Sequence, residues 1–226
     1  MLREQSIEDI WDGRTYGPND MVKADARGCN GCSRCCRGMG DSVLLDPFDV
    51  YRLTEFLHKK AEALFENEIS LTIQEKLILP HLSMNGTEEC CVFLDENGRC
   101  AVHAARPGFC RMFPLGRYYR DGRFDYILQV HECPMDNRSK VKVKKWMDTP
   151  DLASYDAFVT RWHYLVLDLQ EYLAGEKDLS HVKRVNTFFL KYFFTMEYEK
   201  GPDFFPQAED RIIKFRKKFL EKAAIL

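Results

Sequence analysis

The chain has 226 residues, 45% of them hydrophobic, and a net charge of −2. That is enough to bury the core of one large domain, or of a small domain with an extension, and the charge gives no global pull toward nucleic acid. No stretch reaches the roughly 20 apolar residues of a membrane span, and the acidic opening MLREQSIEDIWDG lacks the apolar core of a secretory signal, so a cytoplasmic location is expected.

The segment 46-DPFDVYRLTEFLHKK-60 predicts a helix, with Asp46 as N-cap, Pro47 at the first position and Val50, Leu53 and Leu57 on one face. A second helical stretch is expected within residues 61–80. The stretch 91-CVFLDENGRCAVH-103 reads as a hairpin turning at Glu96-Asn97-Gly98, and 117-RYYRDGRFDYILQV-130 as another turning at Asp121-Gly122. The basic run 140-KVKVKKW-146 reads as a solvated edge strand or linker rather than a nucleic-acid contact.

Beyond about residue 146 the cysteines stop and aromatic residues accumulate. A helix capped by Thr149 or Asp151 runs toward Gly175, with Leu152, Tyr155, Val159, Trp162, Val166, Leu169 and Leu173 along one face. A second helix carries Val182, Val185, Phe189, Tyr192 and Met196. A third, from about Ala208, sets Ile212, Phe215 and Phe219 against Lys214, Lys217 and Lys218. Core packing accounts for all three, with a partner or membrane-surface role for the basic third helix as the alternative. The expected fold is α+β and helix-rich: an irregular cysteine-rich metal-binding domain with short hairpins over residues 1–145, then a helical C-terminal extension over 146–226.

Nine cysteines fall in three groups, Cys29 to Cys36, Cys90 to Cys110, and Cys133 alone. In a reducing compartment such a pattern indicates metal or redox chemistry before disulfides, and an odd number leaves one thiol over. In 29-CNGCSRCCRG-38 the C-x2-C-x2-C spacing matches the first three ligands of the bacterial ferredoxin run. The nearby fourth ligand is missing, but Cys133 is followed by Pro134, the same Cys-Pro pairing. Cys35 and Cys36 are adjacent and point in different directions; they ligate different metals, or one ligates while the other packs or reacts. A vicinal disulfide there would be strained.

The predicted hairpin brings Cys91 near Cys100, and Arg106-Pro107 starts a turn or short helix presenting Cys110. One cysteine would read as core packing; eight in three tight groups do not. Their thiolates would carry more negative charge than two divalent ions cancel, so neighbouring cations are required. Arg34, Arg37, Arg99, Arg106 and Arg111 lie beside them and can donate hydrogen bonds to sulfur.

The runs CNGCSRCC, CVFLDENGRC, RPGFCRMFP and ECP resemble, in order, the YkgJ-type cysteine-cluster family, also described as a zinc- or iron-chelating CxxCxxCC domain. The resemblance covers about residues 25–140, including a helix with a proline-aspartate start at 46-DPFDVYRL-53. It implies metal ligands at Cys29, Cys32, Cys35, Cys36, Cys91, Cys100, Cys110 and Cys133; of the arginines beside them, Arg34, Arg37, Arg106 and Arg111 are expected to contact the bound centre. Cys90 departs from the pattern as an extra cysteine and competes with Cys91, which is favoured by its place before the apolar run. His103 stands where an aromatic is commoner and reads as a structural histidine rather than a ligand.

The resemblance implies a metal centre without fixing its reaction. Larger flagellin lysine methylases carry similar cysteine motifs, which leaves a protein lysine methylase-like activity as a minor alternative. All-cysteine ligation suits zinc, iron–sulfur clusters and copper(I). The ferredoxin-like spacing favours a [4Fe-4S] cluster in a redox or electron-transfer protein, an oxidoreductase component with a redox or protein partner. A Zn2+-stabilised, non-catalytic binding module is the alternative. There is no P-loop, no dinucleotide-binding glycine motif and no H-E-x-x-H, and 131-HECPMD-136 lacks the paired P-C-x-x-C of a deaminase.

Overall fold

The computed structural model describes residues 7–26, 32–200 and 203–221. In chain order they form α1 (Ile7–Ile10), β1 (Trp11–Tyr16), β2 (Met21–Asp25), a 3-10 turn (Arg34–Cys36), α2 (Pro47–Leu57), α3 (Ala61–Asn67), β3 (Ile69–Gln74) and β4 (Leu77–Leu82). There follow β5 (Met84–Asn85), β6 (Cys90–Cys91), a second 3-10 turn (His103–Ala105), α4 (Gly108–Met112), β7 (Leu115–Arg120), β8 (Arg123–Gln129), β9 (Ser139–Lys142) and α5 (Val143–Met147). The chain closes with α6 (Leu152–Gly175), α7 (Leu179–Leu190), a π-turn (Lys191–Thr195) and α8 (Phe204–Phe219). The protein is α+β, with short antiparallel hairpins and a helical C-terminal region. No helix among the described residues is long and apolar enough to cross a membrane.

Contacts group the chain into two units without following a single cut along the sequence. One holds the chain up to Val43 together with Leu82–Leu152; the other holds Leu44–His81 with Ala153–Leu226.

The first unit is built on an antiparallel sheet of order β1-β8-β7. Its hairpin turns where the sequence indicates, at Asp121 (φ 50) and Gly122 (φ 74), two left-handed residues of the kind a two-residue hairpin loop requires. The β7–β8 register runs without a break from Leu115↔Leu128 to Arg120↔Arg123, and Tyr16 of β1 pairs with Tyr126. A second ribbon pairs β2 with β9 through Val22↔Val141, so 140–146 is strand for its first residues and then helix. Val22, Ala24, Leu115, Tyr126, Ile127, Val143 and Met147 are buried here. Trp146 of α5 donates its indole N–H to the carbonyls of Met112 and Phe113 at 3.3 and 3.2 Å, fixing the end of α4.

The hairpin expected over 91–103 is smaller than predicted. The Asp95 carboxylate accepts the amides of Asn97 and Arg99 at 3.0 and 2.7 Å. This local loop replaces the strand ladder and leaves one bridge, Leu94↔Cys100. The strand partner of Cys90–Cys91 is instead upstream, at Met84–Asn85.

In the second unit α2 begins on a reciprocal capping box between Asp46 and Asp49, with Pro47 in the first turn. The helix expected in 61–80 stops after seven residues, and the rest is the hairpin β3–β4. Its turn, Glu75 (φ 47) and Lys76 (φ 64), has neither glycine nor asparagine. Tertiary bonds hold it there. Lys76 Nζ donates to the carbonyls of Ala174 and Glu176 at 3.0 and 2.9 Å, at the end of α6. Asn186 of α7, 3% exposed, accepts from Ile78 N at 2.6 Å and donates to Lys76 O at 2.9 Å.

α6 buries Tyr155, Val159, Trp162, Leu169 and Leu173 as its periodicity predicts, adding Phe158 and Leu165. The next helix departs from its pattern. α7 gives way to the π-turn, whose wider step turns Phe193 and Phe194 into the core and leaves Met196 41% exposed. Arg211 of α8 collects the backbone groups this frees. It donates to the carbonyls of Tyr192, Met196 and Glu197 at 2.7, 2.8 and 2.6 Å, and its guanidinium lies 3.7 Å from the Tyr198 ring centre.

Candidate metal centre

The local fold explains how distant cysteines meet. Ser33 takes a left-handed conformation (φ 45), and the 3-10 turn that follows is closed by Cys36 N donating to Ser33 O at 3.0 Å. Arg37 then extends and bridges to Cys90, while Gly38 N donates to Glu89 O at 3.0 Å, so the cysteine run docks on β6. The Asp95 loop reverses the chain, Ala101 N donates to Phe93 O at 2.8 Å, and Cys100 returns beside Cys91. Pro107 opens the short α4, which carries Cys110.

Five thiols, those of Cys35, Cys36, Cys91, Cys100 and Cys110, line one cavity of about 100 Å³. Its walls are otherwise mostly apolar and include Val43, Leu82, Phe93, Val102, Phe109 and Phe113; Arg99, His103 and Arg106 supply polar groups. Cys32 and Cys133 are half-buried and do not line this cavity, and Cys29 lies outside the described residues. Cys90 does not line it either. Its sulfur accepts a hydrogen bond from Arg37 Nη1 at 2.8 Å, and the same nitrogen pairs with Glu88 at 2.7 Å. Neighbours on a strand face opposite ways, which separates Cys90 from Cys91.

The arginines divide as well. Arg106 lines the thiol cavity, whereas Arg34 and Arg37 line a neighbouring cleft. Arg111, 3% exposed, donates to the Arg106 carbonyl and so braces the backbone that carries Arg106. Arg99, one of the five arginines beside the cysteines in sequence, lines the cavity with Arg106; the phenylalanine walls are the part that spacing did not single out, their one signal being that Phe93, Phe109 and Phe113 lie within three residues of Cys91 or Cys110.

The surroundings favour the neutral forms of Cys35, Cys91, Cys100 and His103. The Cys35 thiol is pushed far up, first by its hydrogen bond with Cys36 and then by burial. Burial is the main cause for Cys91 and for Cys100, with the Cys35 charge adding to both. His103 is pushed down by burial, then by the Arg106 and Arg99 charges. Arg106 opposes the rise at Cys35 and Cys100. Its buried Nε has no hydrogen-bond partner among the described residues.

A thiolate or sulfide acceptor would satisfy that orphaned donor, and the all-sulfur donor set suits zinc or iron–sulfur chemistry. Among the described residues no group of three or more Cys, His, Asp or Glu side chains is already arranged to hold an ion. The fit lies in donor type, in the convergence of the thiols and in Arg106 on the same cavity, not in a closed coordination shell.

A family model, described as "CxxCxxCC: putative zinc- or iron-chelating domain", matches residues 28–141. The chain belongs to this family. No solved structure matches it. The CxxCxxCC description supports metal binding by the cysteine cluster and names zinc and iron alike. Its span includes all nine cysteines of the sequence and stops short of the helices that follow Lys142.

The raised thiols make the metal-free CxxCxxCC protein sensitive to alkali. Cys35, Cys91 and Cys100 hold their protons more tightly folded than unfolded, above the ordinary thiol value of 9.0. Their contribution is therefore fully present below about pH 9 and is lost as the pH rises past it. Denaturant midpoints of metal-free protein should fall between pH 7 and pH 10, and more than those of metal-loaded protein. Equal falls in both samples would contradict this.

Proposed function

We propose that this protein carries an iron–sulfur cluster, of the [4Fe-4S] type, and works in redox or electron-transfer chemistry. The observation that carries the reading is the convergence of five thiols on one cavity that is also lined by Arg106, whose buried Nε has no hydrogen-bond partner among the described residues. Cys35, Cys36, Cys91, Cys100 and Cys110 supply candidate ligands from that cavity; Cys29, Cys32 and Cys133 complete the proposed set by their sequence positions. Size favours a polyatomic centre. A single water needs roughly 10–15 Å³ of such space, and a cavity of about 100 Å³ is large for one zinc ion.

An iron–sulfur cluster, when bound, supplies reversible electron transfer. Around it, Arg106 would donate to sulfur and offset thiolate charge, with Arg111 bracing its backbone. Phe93, Phe109 and Phe113 would keep water from the sulfur atoms. A cytoplasmic location, where thiols stay reduced, suits this chemistry.

The test is anaerobic purification followed by iron, zinc and acid-labile sulfide analysis and an absorption spectrum. Iron, sulfide and a band near roughly 400 nm are expected. A colourless protein with stoichiometric zinc would replace the redox reading with a zinc-stabilised module. Folded protein holding neither metal would end both.

A further inference from the structure

Beside the thiol cavity lies a second, open cleft of about 490 Å³. The two share a wall, since Cys35, Met39, Phe109 and Phe113 line both. The cleft is thus lined by apolar side chains and by Cys35, a residue of the proposed metal centre. Charged residues, Arg34, Arg37, Glu88 and Glu132, line it too.

Most of these charges are already matched. Arg37 pairs with Glu88 at 2.7 Å, and Glu132 has an interaction of its own. Gln129, also on the cleft, donates to the Leu115 carbonyl at 2.9 Å. Arg34 is different: its exposed side chain has no hydrogen bond or ion pair with any described residue. The cleft thus combines a cation with no partner among the described residues and the aromatic side chains of Phe109 and Phe113, at a volume typical of small-molecule sites.

We propose that this cleft binds a small carboxylate with an apolar, ring-sized body, its carboxylate on Arg34 and its body on Phe109, Phe113 and Met39, next to Cys35. A guanidinium takes a carboxylate through two parallel N–H donors, and the phenylalanine faces bury the rest of the ligand. The inference rests on the metal reading for its consequence: the occupant lies against the Cys35 wall of the centre, where a redox protein would present a substrate. It also separates the roles of the cysteine-flanking arginines, with Arg106 serving the sulfur atoms and Arg34 the ligand.

Fluorine NMR titration of the anaerobically purified full chain with 4-fluorobenzoate tests this, using 4-fluorobenzamide and 4-fluorobenzylamine as neutral and cationic probes of similar shape. Saturable binding of the benzoate is expected, with the amide at least about tenfold weaker. Arg34→Ala should weaken benzoate binding by about tenfold or more on samples matched for metal content; the side chain is exposed, so the fold does not depend on it. No saturable binding, equal binding of the amide, tighter binding of the amine, or an unchanged affinity in Arg34→Ala would each overturn the proposal. Metal analysis of the same samples decides the metal reading separately, because the titration can be read on metal-free protein as well.

Discussion

Cys91→Ser should strip most of the metal from the anaerobically purified protein, while Cys90→Ser leaves it nearly intact. The two residues are adjacent on β6, yet only Cys91 lines the thiol cavity. Cys90 turns outward, where Arg37 donates to its sulfur at 2.8 Å. Replacing the cavity-lining thiol of Cys91, a proposed ligand, by a hydroxyl removes the soft donor that zinc and iron–sulfur centres take. Replacing Cys90 costs one half-exposed hydrogen bond, and Arg37 keeps its pairing with Glu88. Metal stoichiometry of the purified variants is the measurement, and the reverse ranking would show that the outward residue is the ligand. Cys35→Ser and Cys36→Ser belong in the same series, since both thiols line the cavity. Both should cost metal if the centre is dinuclear, and only one if a single cluster takes four thiolates.

Arg211→Met should destabilise the protein by about 2–3 kcal/mol, as expected when carbonyl acceptors lose a charged donor. Arg211 is 8% exposed and serves three carbonyls at once, those of Tyr192, Met196 and Glu197. Methionine fills much of its volume but leaves those acceptors without a donor, and it removes the charge over the Tyr198 ring. Lysine at the same position keeps the charge and some of the bonds, so Arg211→Lys should lose less. Denaturant unfolding of metal-loaded protein gives both values. A loss under about 1 kcal/mol for Arg211→Met would mean that water serves these carbonyls equally well.

The parts of this molecule that sequence revealed were those set by local rules. The Asp46-Pro47 helix start, the Asp121-Gly122 turn and the 24-residue helix α6 each follow from a cap, a left-handed pair or a repeat spacing. The segment 69-ISLTIQEKLILP-80 was not legible, because Glu75 and Lys76 occupy left-handed backbone only under bonds from residues 100 or more positions away. Met196 was assigned to a core that a π-turn carries past it. At the site, spacing marked the cysteines and arginines as a set. It did not show that Arg34 and Arg37 line a separate cleft while Arg106, of the four cofactor candidates, lines the cavity of five thiols.

The interleaving of the two units sets an order of birth. Leu82 N donates to Val43 O at 3.1 Å, closing the cysteine-bearing unit across the excursion of residues 44–81. That unit has all its residues once Leu152 has been synthesised, whereas residues 44–81 belong with helices that end the chain. At about 5–20 residues per second on the ribosome, the wait for those helices lasts several seconds. During that interval the cysteines can already close around their metal, while Phe48 still lacks the Phe204 ring that packs against it in the finished fold. A chain released early would then keep its thiol cavity and carry an unfinished apolar segment, the kind of product that chaperones and proteases capture.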